Sequence, residues 1–171
     1  MLTHNITREI GIDMGHRVTY HGSKCHNLHG HRYKIQATVS GPLYASGEQE
    51  GMVLDFGFLK EEMLQEIDQK CDHTMCLWID DPLLNVLINA CDRRLTELRE
   101  ELNFQNGACE LILEHSLGGR LYLVPFVPTA ENLAKHWFER LKDRITIRTE
   151  DRARLVKVKV WETPNCSAEY S

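Results

Sequence analysis

Cys25, a gap of three residues and then His29-Gly30-His31 form the segment whose residue types and spacing most clearly indicate chemistry. A thiol can act as a nucleophile, a general base or a metal ligand, and imidazole is the commonest metal ligand in proteins. Five of the nine histidines fall between His16 and His31, a bias that core packing does not explain. The segment predicts a metal site with a reactive thiol beside it.

The metal ligands follow from strand geometry. His29 and His31 stand two residues apart at the entry to a predicted strand, so both side chains point to the same face. His16 is the third candidate, because it ends the preceding antiparallel strand and a hairpin brings those two ends together. Three neutral imidazoles with an open position are typical of a catalytic zinc site. The alternative interpretation is a set of solvated loop histidines.

The environment of Cys25 suggests reactivity without fixing a role. Lys24 and His26 flank it, and a nearby cation lowers the pKa of a thiol and favours the thiolate. The sequence leaves open a fourth metal ligand, a nucleophile and a general base. A small loop residue without a chemical role is the remaining interpretation.

Two further segments carry groups that can move protons. Asp72-His73 follows a predicted helix, and a histidine tuned by a carboxylate is a common proton carrier. Adjacent residues rarely hydrogen-bond each other well, so the two are expected to contact different partners. Glu162 ends an alternating strand, where a carboxylate can accept two hydrogen bonds from an amidine-like edge of a heterocycle or remain solvated.

Apolar periodicity predicts the elements that hold these groups. Strands are predicted from Ile6 to Met14, from His31 to Val39 and from Leu155 to Glu162. Helices are predicted from an N-cap at Asp55 to about Lys70 and from an N-cap at Thr129 onwards. The predicted order is strand, strand, helix, a middle segment, helix and strand. This order predicts an α+β fold with an antiparallel sheet and helices on one face.

The middle of the chain is predicted to hold further helices and two short strands. A helical stretch is expected after Asp81-Pro82, and interleaved Leu, Arg and Glu favour a helix from about Asp92 to Asn103. Asn106-Gly107 indicates a turn. Two short strands are expected on either side of Gly118-Gly119, spanning Cys109 to His115 and Leu121 to Phe126.

Composition and charge limit the classes of function that are expected of this protein. The 171 residues are 42% hydrophobic and 26% charged, which suits one globular domain. The net charge is −5 and the basic residues are scattered, so no nucleic-acid partner is expected. Residues 1–12 carry charges and no apolar run, so neither a signal peptide nor a membrane span is expected, and the expected location is the cytoplasm. Six cysteines without a CxxC pair argue against a thiolate zinc site.

Taken together, these segments resemble the 6-pyruvoyltetrahydropterin synthase and 6-carboxytetrahydropterin synthase family. They occur in the family's order, and the complete set is far more specific than any one piece. The matching segments are Gly15-His16-Arg17, Lys24-Cys25 with His29-Gly30-His31, Gly51-Met52-Val53-Leu54-Asp55-Phe56 with Leu59-Lys60, Asp72-His73, Pro128-Thr129-Ala130-Glu131-Asn132, and Glu162-Thr163 with Tyr170.

The resemblance implies a tunnelling fold (T-fold), a four-stranded antiparallel sheet with two helices between its hairpins. Subunits of that fold join edge to edge into a β-barrel, usually a trimer, which removes exposed sheet edges. Two such trimers stack into a hexamer. The expected organisation is one domain over residues 1–171 with an insertion at about 82–124. Because the family's active sites lie at subunit interfaces, Glu162 is expected to serve a neighbour's zinc site.

The resemblance also implies roles for single residues. His16, His29 and His31 would bind zinc, and Cys25 would move protons on the substrate side chain. His73 would be the relay histidine, supported by Asp72.

On the pterin side, the resemblance implies that Glu162 anchors the pterin ring and joins the proton relay. Thr129 and Glu131 would line the pterin pocket.

The spacing between Cys25 and His-Gly-His resembles the carboxy-forming branch, because His26-Asn27-Leu28 makes the gap three residues. This implies conversion of 7,8-dihydroneopterin triphosphate to 6-carboxy-5,6,7,8-tetrahydropterin, acetaldehyde and triphosphate, a step towards queuosine and other 7-deazapurines. The enzyme alternative is the pyruvoyl-forming synthase. The alternative from another class is a non-catalytic, zinc-stabilised oligomeric pterin-binding module.

Overall fold

The computed structural model describes residues 3–88, 93–104, 111–114 and 119–171, and the side chains of 103, 104 and 111–114 are outside the description. The strands are β1 (His4–His16), β2 (His29–Gly41), β3 (Met75–Trp78), β4 (Leu111–Glu114), β5 (Arg120–Val124), β6 (Arg154–Thr163) and β7 (Cys166–Tyr170). The helices are α1 (Phe56–Met63), α2 (Gln69–Cys71), α3 (Leu84–Ile88), α4 (Leu95–Phe104) and α5 (Ala130–Arg148). A π-helical segment, Leu64–Asp68, joins α1 to α2, and a 3-10 turn spans Lys24–His26.

The hairpin of β1 and β2 joins the two sides of the sheet. Its antiparallel register runs from His4 opposite Gly41 to His16 opposite His29. Ile12 and Tyr33 are fully buried on one face, as the period of two predicts. The pairing therefore brings the ends of the two strands together at the histidines.

The predicted α+β fold class is confirmed, with a longer sheet than expected. The antiparallel strands β1, β2, β6 and β7 supply the expected four. Among the described residues three more strands extend the sheet to seven, in the order β4-β5-β3-β1-β2-β6-β7. β3 pairs in parallel with both β1 and β5, so the sheet is mixed rather than wholly antiparallel. Four-residue β3 is too short for periodicity to reveal it.

The two predicted main helices, α1 and α5, pack against one face of the sheet. The Asp55 side chain accepts a hydrogen bond from the Gly57 N–H at the start of α1, and Thr129 accepts one from the Asn132 N–H at the start of α5. The helix predicted to about Lys70 is present as α1, the π-helical segment and α2 in succession. None of the described helices is long and apolar enough to cross a membrane.

A second apolar cluster lies under the predicted insertion. Leu84 on α3 and Leu98 on α4 are fully buried, together with Leu77 on β3 and Leu123 on β5. The helices expected after Asp81-Pro82 and up to Asn103 are therefore present. Asn106-Gly107, Cys109, His115 and Gly118 lie outside the described residues.

His136 is a buried histidine on α5 outside the predicted site. Its Nε2 lies 2.8 Å from the Tyr122 hydroxyl, and its ring centroid lies 5.2 Å from that of Phe126. Burial, followed by the positive charges of Arg140 and Lys70, lowers the pKa of His136 from 6.5 to about 3. The imidazole is therefore neutral in the folded protein at pH 7.

This histidine is expected to make the protein sensitive to acid. Between about pH 6.5 and pH 3, His136 is protonated in the unfolded chain but not in the folded chain. The stability that depends on this histidine is therefore complete above pH 6.5 and falls as the pH decreases. From pH 7 to pH 5 the loss from His136 is on the order of 2 kcal/mol. Urea unfolding of wild type and His136→Gln at both pH values and one protein concentration measures it. The variant should lose less stability on acidification, and equal losses would contradict the assignment.

Candidate metal centre and active site

Three histidines from the ends of β1 and β2 converge on one point. One ring nitrogen from each of His16, His29 and His31 lies within 4.8 Å of the other two. The register that places His16 opposite His29 creates this arrangement, and His31 follows two residues along β2. Gly30 between them lets the strands approach closely, because a Cβ there would lie 3.2 Å from the Met14 carbonyl oxygen.

Backbone carbonyls fix the tautomers of two rings. His16 Nδ1 lies 2.7 Å from the Pro128 carbonyl oxygen, and His29 Nδ1 lies 2.8 Å from that of Asn27. A carbonyl oxygen only accepts, so Nδ1 carries the proton in both rings and donates it. Each Nε2 then keeps a free lone pair, the arrangement in which outer partners orient metal-binding histidines.

The burial of the cluster fits a metal ion. His16 is 1% exposed, and its Nε2 makes no hydrogen bond of good geometry within the described chain. Burial is the main cause that lowers the pKa of His16 and that of His31, which favours the neutral form of both rings. A buried, neutral nitrogen with an unused lone pair is costly unless something binds it. A donor set of three imidazole rings suits a divalent transition metal.

Glu162 stands beside this cluster. Its Oε1 lies 3.3 Å from His16 Nε2 and 3.9 Å from His31 Nε2. Glu162 therefore lies against the histidines of its own chain, and its expected part in a neighbour's zinc site stays a prediction. The cause is the pairing of β6 with β2, which places the end of β6 next to the start of β2.

Glu162 also opens onto a cavity that gathers the other predicted site residues. Cys25, Thr129 and Glu131 line this cavity of about 250 Å³ together with Glu162. Thr129 and Glu131 stand at the start of α5, and Cys25 stands on the 3-10 turn of the β1–β2 loop. One chain thus places a thiol and two carboxylates around one space beside the three-histidine cluster.

Sequence reasoning missed part of the cavity wall. His21 from the β1–β2 loop and Cys166 and Ser167 from β7 line the same space. β7 was not predicted as a strand, although the Pro164-Asn165 turn after β6 was an available signal.

Asp72 and His73 are both hydrogen-bonded to the backbone of Asp13 on β1. Asp72 accepts a hydrogen bond from the Asp13 N–H, and the His73 N–H donates to the Asp13 carbonyl oxygen, both at 2.8 Å. The expectation that the two side chains contact different partners was wrong, since His73 Nδ1 lies 2.7 Å from Asp72 Oδ2. The φ of +57° at His73 is the reason, because this left-handed backbone turns the imidazole back onto its neighbour.

The electrostatics of this pair favour an ionised carboxylate. Burial acts to raise the pKa of Asp72, but the hydrogen bond from the Asp13 backbone and the contact with His73 outweigh it and lower the pKa. The His73 side chain is 79% exposed. It lines a different cavity from Cys25, one that also reaches His31.

Comparison with known proteins supports one family. The sequence model described as 6-pyruvoyl tetrahydropterin synthase matches residues 5–171. The chain belongs to this family. A 6-carboxy-5,6,7,8-tetrahydropterin synthase from Haemophilus influenzae is 33% identical over 165 residues, 96% of each chain. One from Rickettsia conorii is 30% identical over 163 residues, 95% of this chain and 96% of the relative.

Solved structures agree on the fold of this family. An uncharacterised protein from Wolinella succinogenes superposes with a TM-score of 0.73 at 25% identity, covering 99% of this chain and 98% of the other. The 6-pyruvoyl tetrahydropterin synthase from Caenorhabditis elegans gives a TM-score of 0.60 at 22% identity, covering 99% and 96%. The predicted T-fold is confirmed by these similarities.

Proposed function

We propose that this member of the family is a zinc-dependent 6-carboxy-5,6,7,8-tetrahydropterin synthase acting on 7,8-dihydroneopterin triphosphate. One observation carries the proposal: the three-histidine cluster shares Glu162 with a cavity lined by Cys25 and Glu131. The near full-length similarity to synthases of that name, and the three-residue gap after Cys25, support the carboxy-forming reaction. The products would be 6-carboxytetrahydropterin, acetaldehyde and triphosphate, on the route to queuosine.

His16, His29 and His31 are the proposed zinc ligands. When bound, the ion supplies Lewis acidity that favours ionisation of the substrate's side-chain hydroxyls. The Pro128 and Asn27 carbonyls hold two of the rings in the tautomer that presents Nε2 to the ion. Glu162 adds a negative charge beside this position.

The cavity beside the cluster suits the pterin ring. Glu131 and Glu162 can each accept hydrogen bonds from its amino and N–H groups, which would place the substrate side chain towards the histidines. Cys25 Sγ is the group on the cavity wall proposed to take and return protons on that side chain. Thr129 already caps α5 through its hydroxyl, so its proposed part is to shape the wall.

Asp72 and His73 are proposed to act together with a second subunit. His73 opens onto a different cavity from Cys25 and is largely exposed. We place this pair at the boundary with a neighbouring copy, where His73 can exchange protons with a substrate held by another chain. The proposed assembly is a cytoplasmic homo-oligomer, a hexamer of two stacked trimers, built from one domain with an insertion at 82–124.

Product analysis tests the proposal. Zinc-loaded protein is incubated with 7,8-dihydroneopterin triphosphate, and the products are identified by mass spectrometry. We expect 6-carboxytetrahydropterin together with acetaldehyde. A product that keeps all three side-chain carbons would contradict the carboxy-forming assignment in favour of the pyruvoyl-forming one. No product from folded, zinc-loaded protein would contradict the proposed activity.

A further inference from the structure

The loop that carries Cys25 spans residues 17–28, between the paired histidines His16 and His29. Within this loop the Val18 N–H donates a 2.9 Å hydrogen bond to the Cys25 carbonyl oxygen. The position of the thiol therefore depends on what holds Val18.

The residues on either side of Val18 meet at one buried carboxylate. The Thr19 hydroxyl donates a 2.6 Å hydrogen bond to Asp81 Oδ2, and Arg17 Nε lies 3.1 Å from the same oxygen. Thr19 is buried, whereas the other residues of 17–28, all of which the structure describes, are half-buried or exposed. Thr19 and Asp81 therefore fasten an otherwise solvent-facing loop to the body of the protein.

Asp81 is itself held rigidly. It is 1% exposed, and its second oxygen, Oδ1, accepts a 2.8 Å hydrogen bond from the Leu83 N–H. A buried carboxylate is tolerated only when its charge is paired and its lone pairs are used, so this geometry resists displacement. Asp81 follows β3 and precedes α3, whose Leu84 belongs to the second apolar cluster. Residues of the insertion thereby help to hold the Asp81 side chain in place.

We propose that Asp81 is a positioning residue for Cys25, acting through Arg17, Thr19 and the Val18–Cys25 hydrogen bond. The inference rests on the proposed function for its kinetic consequence only. The placement of the thiol is a property of the protein without substrate. It also gives the insertion a role in the active site, because it braces the loop that carries the thiol.

The test uses Asp81→Asn in the full-length, zinc-loaded protein. The substitution keeps the size of the side chain and removes the charge that pairs with Arg17. Asp80→Asn is the matched control, since Asp80 is the adjacent carboxylate but pairs with Arg99 at 2.6 Å instead of with the loop. Three quantities are measured: kcat and KM with 7,8-dihydroneopterin triphosphate, the rate of Cys25 alkylation by iodoacetamide followed by peptide mass spectrometry, and bound zinc.

For Asp81→Asn we expect kcat to fall about 10- to 100-fold with KM changed far less, because a misplaced reactive group costs turnover more than binding. Cys25 alkylation should rise about threefold or more as the loop opens locally. Bound zinc should stay equal to wild type, and Asp80→Asn should match wild type in all three measurements. Unchanged alkylation, or a loss of zinc showing that the effect passes through His16, would overturn the proposal.

Thr19→Val provides a second route if Asp81→Asn does not fold. It replaces the hydroxyl that donates to Asp81 with a methyl group. The rate of Cys25 alkylation should rise, as it should for Asp81→Asn. An unchanged rate would overturn the proposal. If the wild type makes no product, the proposed function fails, yet the alkylation rates still decide whether Asp81 places Cys25.

Discussion

Replacing Cys25 with alanine is expected to lower kcat by about 10²- to 10⁴-fold, the range that a positioned proton-transfer group contributes. The side chain stands on the wall of the cavity that Glu131 and Glu162 share, and it is the group assigned to move protons there. It does not belong to the three-histidine cluster, so bound zinc should be unchanged. Steady-state kinetics and metal analysis by inductively coupled plasma mass spectrometry measure the two effects.

Cys166→Ala is the matched control for this variant. Cys166 is an exposed cysteine on the wall of the same cavity, so its removal tests whether any thiol there suffices. We expect Cys166→Ala to lower kcat far less than Cys25→Ala, because no proton transfer is assigned to Cys166. Near-normal turnover from Cys25→Ala, with zinc bound, would remove Cys25 from the proposed mechanism.

The second large effect is expected from His29→Ala, which removes one of the three proposed zinc ligands. Zinc affinity should fall by more than about 100-fold, since even the loss of an outer partner of a ligand costs 10- to 100-fold. Turnover should be lost with the metal. Because His29 is only half-buried, the fold should survive. Competition with a chromogenic chelator gives the affinity, and far-UV circular dichroism checks the fold.

His26→Ala is the control for the zinc measurement. His26 lies in the same loop, is exposed, and bonds through Nδ1 to the Ser23 carbonyl oxygen rather than facing the cluster. Zinc affinity equal to wild type is expected. Full zinc binding by His29→Ala would show that the cluster is not the metal site.

Removing zinc from the wild type separates catalysis from structure. A catalytic site predicts lost activity with a modest loss of stability, whereas a structural site predicts that the chelated protein unfolds. The large apolar core between the sheet and helices α1 and α5 favours the first outcome, because burial of its apolar surface stabilises the fold without a metal ion. Unfolding on chelation would support the non-catalytic module instead.

The sequence by itself determined the features that depend on short-range patterns. Alternation over Tyr33 and Ile35 specified β2, and the capping residues Asp55 and Thr129 marked where two helices begin. The spacing of His29 and His31 placed both rings on one face because side chains alternate along a strand. The pairing of His16 with that face followed from one hairpin.

Only the tertiary structure decided contacts between distant segments. Glu162 meets His16 of its own chain because β6 pairs with β2, and Asp81 meets Thr19 across 62 residues. The short parallel strand β3 that brings Asp81 there has too few residues to show a period. Local periodicity records which face of an element is buried, but not which element buries it. Sheet order and the environment of each buried charge are set by packing over the whole chain.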